Sequence, residues 1–334
     1  RDLPPAPAEE EPQAGLLRLR RARSAAAGLR PCGAKPGLLL RQQGPLLQWP
    51  ARGLLEDNAV DTDTRRSGPR SSSSSRSTPP GKPRICIGIG GWTFEPWRNH
   101  FYPAGLAHSQ ELHYASRQLT AIEVNGTYYS TFQPPTFAKW YGETPDGFMF
   151  SLKASRFATN RRVLAGAGDS IARFVESGIA ELKDKLGPIV WQFMPTKVFE
   201  PGDFEAFLAL LPREVGGRRL RHALDVRHPS FATPAFLALA RRYGCAPVCT
   251  DSDQFPAIAD AEADFAYLRL MRSQSDVATG YTPAAIAQWA EGVRTWTTGE
   301  RPRDVFVYFI NGAKDRAPAG AMALLQQLGM GVRR

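Results

Sequence analysis

From Ile85 onward, short apolar runs alternate with amphipathic stretches. The runs are Ile85–Ile89, Leu119–Val124, Phe148–Leu152, Ile189–Met194, Ala223–Val226, Ala246–Thr250, Phe265–Leu270 and Val305–Ile310. Near-continuous apolar runs of this length suit parallel strands covered on both faces. Between them the period lengthens to that of helices. Phe204, Phe207, Leu208 and Leu211 make one stripe, and Ile286, Trp289, Ala290, Val293 and Trp296 a second. Ile171, Phe174, Val175, Leu182 and Leu186 make a third. Thr233 before Pro234 and Thr282 before Pro283 read as N-caps, and Gly244 and Gly329 as helix stops. Eight strands alternating with helices over about 250 residues is the count of an α/β fold, a single TIM-type (β/α)8 barrel. A doubly wound open sheet is the alternative. The link Asp251–Asp264 carries the weakest helical signal.

Residues 1–83 have a different texture. They are rich in Pro, Arg, Ser, Gly and Ala and include the run Ser71–Ser75. Too little apolar surface is available there to offset ordering entropy, so a disordered segment is expected at 1–83 and the barrel at 84–330. The charge follows the same division. The chain carries a net +10, but residues 1–84 hold 15 Lys and Arg against 8 Asp and Glu. The remainder holds 27 against 24 and is close to neutral. A basic tail can hold nucleic acid loosely by counterion release, but a solvated tail is the plainer reading. No long uncharged apolar stretch predicts a membrane span. Cys245 and Cys249 lack a second ligand pair at zinc spacing, and Cys86 and Cys249, in short apolar runs, read as small buried hydrophobes. A reducing, cytoplasmic setting is expected. The oligomeric state is not legible.

A barrel of this type places its active site at the C-terminal ends of the strands. Those ends are polar here: Trp92 after strand one, Glu123 and Asn125 on strand two, Lys153 after strand three, Gln192 on strand four. Asp225, Arg227 and His228 follow on strand five, Asp251 after strand six, Arg269 on strand seven, Tyr308 and Asn311 on strand eight.

The same residues carry a family likeness. Ile87-Gly-Ile-Gly-Gly-Trp-Thr-Phe-Glu-Pro-Trp97, Ile122-Glu-Val-Asn-Gly-Thr-Tyr-Tyr129 and Phe148-Met-Phe-Ser-Leu-Lys153 are three of the pieces. Val190-Trp-Gln-Phe-Met-Pro195, Asp225-Val-Arg-His-Pro-Ser230 and the segment Tyr308 to Pro318 are others. Together they make residues 84–330 resemble the DUF72 (YecE-like) family. The resemblance implies a TIM-barrel-like fold and no particular reaction. The chain departs from the family pattern at Phe231, where Trp is usual. It reads Arg269-Leu270-Met271-Arg272 where the family tends to Arg-x-His-Gly, and has Ile310 where Asn is frequent.

Each candidate has a plain and a functional reading. Glu123 and Lys153 make either a buried ion pair or an acid/base with an anion binder. Arg227 and His228 are adjacent, so strand geometry sends them to opposite sides. Arg227 is favoured for the mouth, with Asp225 orienting it, because Arg suits phosphate or carboxylate. His228 is a secondary catalytic candidate or the closure of a turn, and Asp251 a secondary orienting group. Glu123, Asp225, His228 and Asp251 would be the donors of a divalent metal, but no ligand motif supports one, and no cofactor is predicted. Three cations, Lys153, Arg227 and Arg269, face three carboxylates, so an anion site is not forced. Aromatics near the mouth (Trp92, Phe94, Trp97, Tyr128, Tyr129, Trp191) either stack on a ligand or anchor loops. The leading expectation is an enzyme acting on an anionic small molecule or nucleic acid. Glu123 and His228 would be catalytic. Lys153, Arg227, Arg269, Asn125, Gln192, Asn311 and Trp92 would bind substrate. The alternative is a non-catalytic binding module for nucleic acid or a metabolite.

Overall fold

The computed structural model describes residues 82–331. Most of the expected segment at 1–83 lies outside the described residues. Eight parallel strands close into a barrel: β1 (Ile85–Gly90), β2 (Ala121–Val124), β3 (Met149–Lys153), β4 (Leu186–Gln192), β5 (His222–Asp225), β6 (Cys245–Thr250), β7 (Phe265–Leu270) and β8 (Asp304–Phe309). Each pairs with its sequence neighbours, and β1 closes the ring by pairing with β8, Gly88 opposite Tyr308. The open-sheet alternative is thereby excluded. A two-stranded antiparallel ribbon, Glu214–Val215 with Arg218–Arg219, precedes β5.

Seven helices of two turns or more cover the described barrel. They are α1 (Glu111–Gln118), α2 (Pro134–Glu143), α3 (Gly168–Val175), α4 (Pro201–Ala209), α5 (Pro234–Arg242), α6 (Pro283–Thr298) and α7 (Ala317–Gln327). Thr233 accepts from the Phe236 N–H and Thr282 from the Ala285 N–H, as the Thr-Pro signature predicts. Replacing Thr282 by Ala is expected to lower stability by about 1 kcal/mol, read as a shift in the urea midpoint at unchanged slope.

Strand alternation divides the molecule into two cores. Ile87, Ile89, Ile122, Phe150, Trp191, Leu268 and Val307 point outward into the helices. Cys86, Ala121, Met149, Val190, Ala223, Phe265 and Phe306 point inward and fill the lower barrel. Gly88 shares that inward face. A Cβ there would stand 1.8 Å from the Ala121 carbonyl oxygen, so only glycine lets β1 and β2 approach.

Three expectations are corrected. The fourth strand begins at Leu186 and ends at Gln192, because the chain runs extended through Gly187 and Pro188. The third apolar stripe is not one helix. It breaks at Gly178, where φ is +109° and a Cβ would stand 2.6 Å from Pro134. Leu186 already belongs to β4. Asp251–Asp264 contains no helix. Side chains hold it instead: Arg241 grips Asp260 through Nε and Nη2 at 2.8 and 2.6 Å, and Arg303 Nη1 donates to the Ala261 and Ala263 carbonyls.

Candidate functional site

Above the apolar lower barrel the inward positions turn polar. Strand parity does this directly, because residues two apart share a face. Glu123 lies two past Ala121, Lys153 two past Ser151, Arg227 two past Asp225 and Arg269 two past Tyr267. The side chains meet on the barrel axis. Arg269, 2% exposed, is the hub. Its Nη2 donates to Glu123 Oε1 at 3.0 Å, and its Nη1 to Asp225 Oδ2 at 2.6 Å and Gln192 Oε1 at 3.1 Å. Its Nε finds no acceptor. Tyr267 donates its hydroxyl to Glu123 Oε2 at 2.8 Å. Arg227 donates to Gln192 Oε1 at 2.9 Å and reaches Asp225 Oδ2 at 3.3 Å. Its guanidinium stacks 4.5 Å from the centroid of Phe255, on the helix-free loop after β6.

Lys153 is the exception among the three cations. It makes no ion pair among the described residues. Its Nζ instead lies 4.2 Å from the centroid of the Tyr128 ring. Burial, reinforced by Arg269 and then Arg227, pulls its ammonium down to about 8 against the opposing pull of Glu123 and Asp225. For Asp225, burial pushes upward, but Arg227 and Arg269 overcome it and hold the carboxyl below the usual range. Tyr267 and Tyr308 are raised, chiefly by burial. Tyr308 shares a 2.8 Å hydrogen bond with Ser151 beneath the network.

The structure therefore brings Glu123, Asn125, Lys153, Gln192, Asp225, Arg227 and Arg269 to the inner face of the mouth. It does not bring the others. His228 turns away, as parity requires. Its Nδ1 caps the turn at Pro229–Phe231 by accepting from the Ser230 N–H, with Ser230 Oγ 2.8 Å away. Asp251 falls on the outward register. It accepts from the Met271 N–H at 2.6 Å and the Tyr281 hydroxyl at 2.7 Å, so it ties loops rather than orienting Arg227 or Arg269. Burial raises its carboxyl. Trp92 packs edge-on against Trp140 of α2, its ring centroid 5.2 Å away, and near the outward Phe150. Trp97 and Trp191 are likewise anchors on the helix side, Trp191 donating to His222 Nδ1. Asn311 lies one register beyond the inward Ile310, and its carbonyl accepts from Ser273.

Two further readings change. Glu123 pairs with Arg269, not Lys153, and both its oxygens are engaged at 0% exposure, which argues against a role as the acid/base. The four-donor metal set is not assembled, because His228 and Asp251 lie elsewhere. Among the described residues no group of three or more His, Cys, Asp or Glu is placed to hold a metal ion. Cys245 and Cys249 face outward, and burial pushes both thiols up to about 12. Sequence reasoning missed Tyr267 and Ser151. Their parity with Arg269 and Lys153 was the available signal. Phe255 had none, since nothing in the chain announces how an irregular loop folds back.

Fold and site together define a (β/α)8 barrel with a buried, branched charge network at its C-terminal mouth. A family model described as "Protein of unknown function DUF72" matches residues 86–334. The chain belongs to the DUF72 family. A DUF72 family protein from Thermotoga maritima shares the fold at 21% identity and a TM-score of 0.59, covering 74% of this chain and 99% of that one. One from Enterococcus faecalis does so at 17% identity and a TM-score of 0.58, covering 73% and 95%. No curated protein matches the sequence. Among the described residues no helix is long and apolar enough to cross a membrane.

Proposed function

We propose that the mouth binds the anionic group of a small ligand, phosphate or carboxylate, between Lys153 and Arg227. Lys153 then serves as the proton-transfer group of a reaction there. The observation that carries this reading is the unpaired Lys153. Three cations meet two carboxylates, because Asp251 is not part of the network, and Arg269 engages both of those carboxylates. One positive charge is left over in a nearly closed site. A bound anion would satisfy it, and burial brings the ammonium down to about 8, close to working pH. A lysine whose proton affinity lies near working pH can give up and take back a proton in a reaction. Glu123 and Asp225 position Arg269 and Arg227 rather than react.

A binding module without chemistry is the second reading. The saturation of Glu123 favours it, since both of its oxygens are already engaged, by Arg269 and by Tyr267.

The test is a thermal melt with sodium pyrophosphate against sodium chloride at matched ionic strength. The expected result is a rise in Tm of several degrees for the native chain. Arg227→Ala is expected to lose it and His228→Ala to keep it. A rise that survives Arg227→Ala, or no rise with any phosphate or carboxylate ligand, overturns the site. A rise that survives Lys153→Met removes the reaction and leaves the module.

A further inference from the structure

The large apolar side chains left exposed on the described barrel do not scatter. Tyr129, Phe157, Val163, Met194 and Val198 are each 42–60% exposed. All of them lie on the three consecutive loops that follow β2, β3 and β4. Those strands are neighbours in the barrel, so the five residues occupy one sector of the same rim that holds the mouth. Scattered exposed apolar residues need no explanation, whereas a cluster beside a site does.

Basic side chains outnumber acidic ones in this sector. The loops at 126–137, 154–168 and 193–200 hold Arg156, Arg161, Arg162 and Lys197 against Glu200. Lys197 is spent on Asp203 at 2.7 Å and on the Arg162 carbonyl at 2.8 Å, which ties the third loop to the second. The arginines make no ion pair among the described residues. Arg156 lies 5.8 Å from the Tyr129 ring and 5.4 Å from that of Phe157. Arg156, Phe157, Asn160 and Arg161 line a shallow groove of about 440 Å³.

A chain of side-chain contacts links the groove to the network. Tyr129 packs edge-on against Tyr128 at 5.0 Å, and the Tyr128 hydroxyl donates to Asn160 at 3.3 Å. The opposite side of the ladder is the Tyr128 ring beneath the Lys153 ammonium. Exposed flat rings, interleaved arginines and a buried unpaired cation thus follow one another from rim to axis.

We infer that single-stranded nucleic acid is the ligand class of this mouth. Bases stack on Phe157 and Tyr129, the backbone runs along Arg156, Arg161 and Arg162, and one phosphate reaches Lys153 and Arg227. Rings beside arginines accept any base face, and the basic groove follows the phosphates. An acidic protein would use the same arginines and rings, and it is the competing occupant that competition by poly-glutamate tests. The inference rests on the anion site proposed above and names its substrate class.

The experiment is fluorescence anisotropy of 5′-fluorescein-labelled dT12 with the full chain, at one salt concentration for all variants. The basic N-terminal segment is present throughout and adds a constant background. Phe157→Ala and Tyr129→Ala are each expected to weaken binding about tenfold, in line with loss of one stacked base. Both residues are exposed, so their melting curves should match the native one. Lys153→Met is expected to weaken dT12 as well. Unlabelled dT12 should compete far better than poly-glutamate of equal charge. Unchanged affinity in the Phe157→Ala/Tyr129→Ala double variant overturns the inference, as does equal competition by poly-glutamate, which is the acidic-protein outcome. The pyrophosphate melt separates the two proposals. If pyrophosphate binds while the rim variants leave dT12 unaffected, only this inference fails. If pyrophosphate gives no response through Arg227, the anion site has failed first.

Discussion

Replacing Arg269 by Met should destabilise the barrel by about 3–5 kcal/mol, the range for removing one partner of a buried pair. The size follows from what is left behind. Glu123 is 0% exposed and Asp225 3% exposed, and Arg269 donates to both. Methionine fills a comparable volume but offers neither charge nor donor. Glu123 would keep only the Tyr267 hydroxyl, and Asp225 only Arg227. Adding Glu123→Gln to Arg269→Met should return part of the loss, because it removes the stranded charge, and a double-mutant cycle reads that coupling directly.

The pH dependence has a defined sign. Arg227 and Arg269 hold Asp225 below its ordinary value despite burial. Its contribution is therefore fully present above the unfolded value near 4 and is lost as pH falls through the lower native value. Arg269→Met removes much of that contribution. The deficit of the variant should be largest at neutral pH and should narrow below pH ~4. Guanidinium titrations at pH 7 and pH 3 check it. A loss under 1 kcal/mol at pH 7, or one that widens in acid, would show that Arg269 is not the hub of the network.

How far the sequence exposed this arrangement depends on what each residue's position is tied to. Glu123, Lys153, Gln192, Asp225, Arg227 and Arg269 lie on or directly after strands. Once eight parallel strands are read, period-two parity sends them to one side, and barrel closure makes them meet. The same parity that placed Arg227 in the mouth placed His228 outside it. Asp251 and Asn311 share the outward parity of Cys249 and Phe309, and Trp92 lies past the turn at Gly91, where φ is +73° and parity no longer decides direction. The hydrogen bonds of Asp251 to Met271 and Tyr281 come from residues 20 and 30 positions away. No local pattern encodes such contacts. Pairing within the network was also not legible. The chain lists Lys153 and Glu123 on adjacent strands, yet Glu123 reaches across the barrel axis to Arg269 and Tyr267. Only the closed ring brings β2 and β7 face to face.

Lys153→Met should do two opposite things, and their combination tests whether this lysine is kept for function. The ammonium is drawn from its ordinary 10.5 to about 8, chiefly by burial. Between those values the unfolded chain binds a proton that the native chain does not, so native stability rises with pH across that window. Below pH 8 both states are protonated, and the native state carries the full cost of a buried, unpaired cation. That cost is on the order of 3 kcal/mol by the free energy equivalent to each step in proton affinity. Methionine removes it and gives up only the contact with the Tyr128 ring, worth roughly 1–2 kcal/mol. The variant should therefore be more stable than the native chain at pH 7, by about 1–2 kcal/mol. Its advantage should fade as pH rises from 8 to 10.5. The same variant should lose the pyrophosphate response. A residue that costs stability and confers ligand binding is placed there for the ligand, as expected where function and stability oppose each other. If Lys153→Met is instead less stable at pH 7 with no narrowing toward pH 10, the lysine is a structural anchor. The anion site would then lose the observation on which it stands.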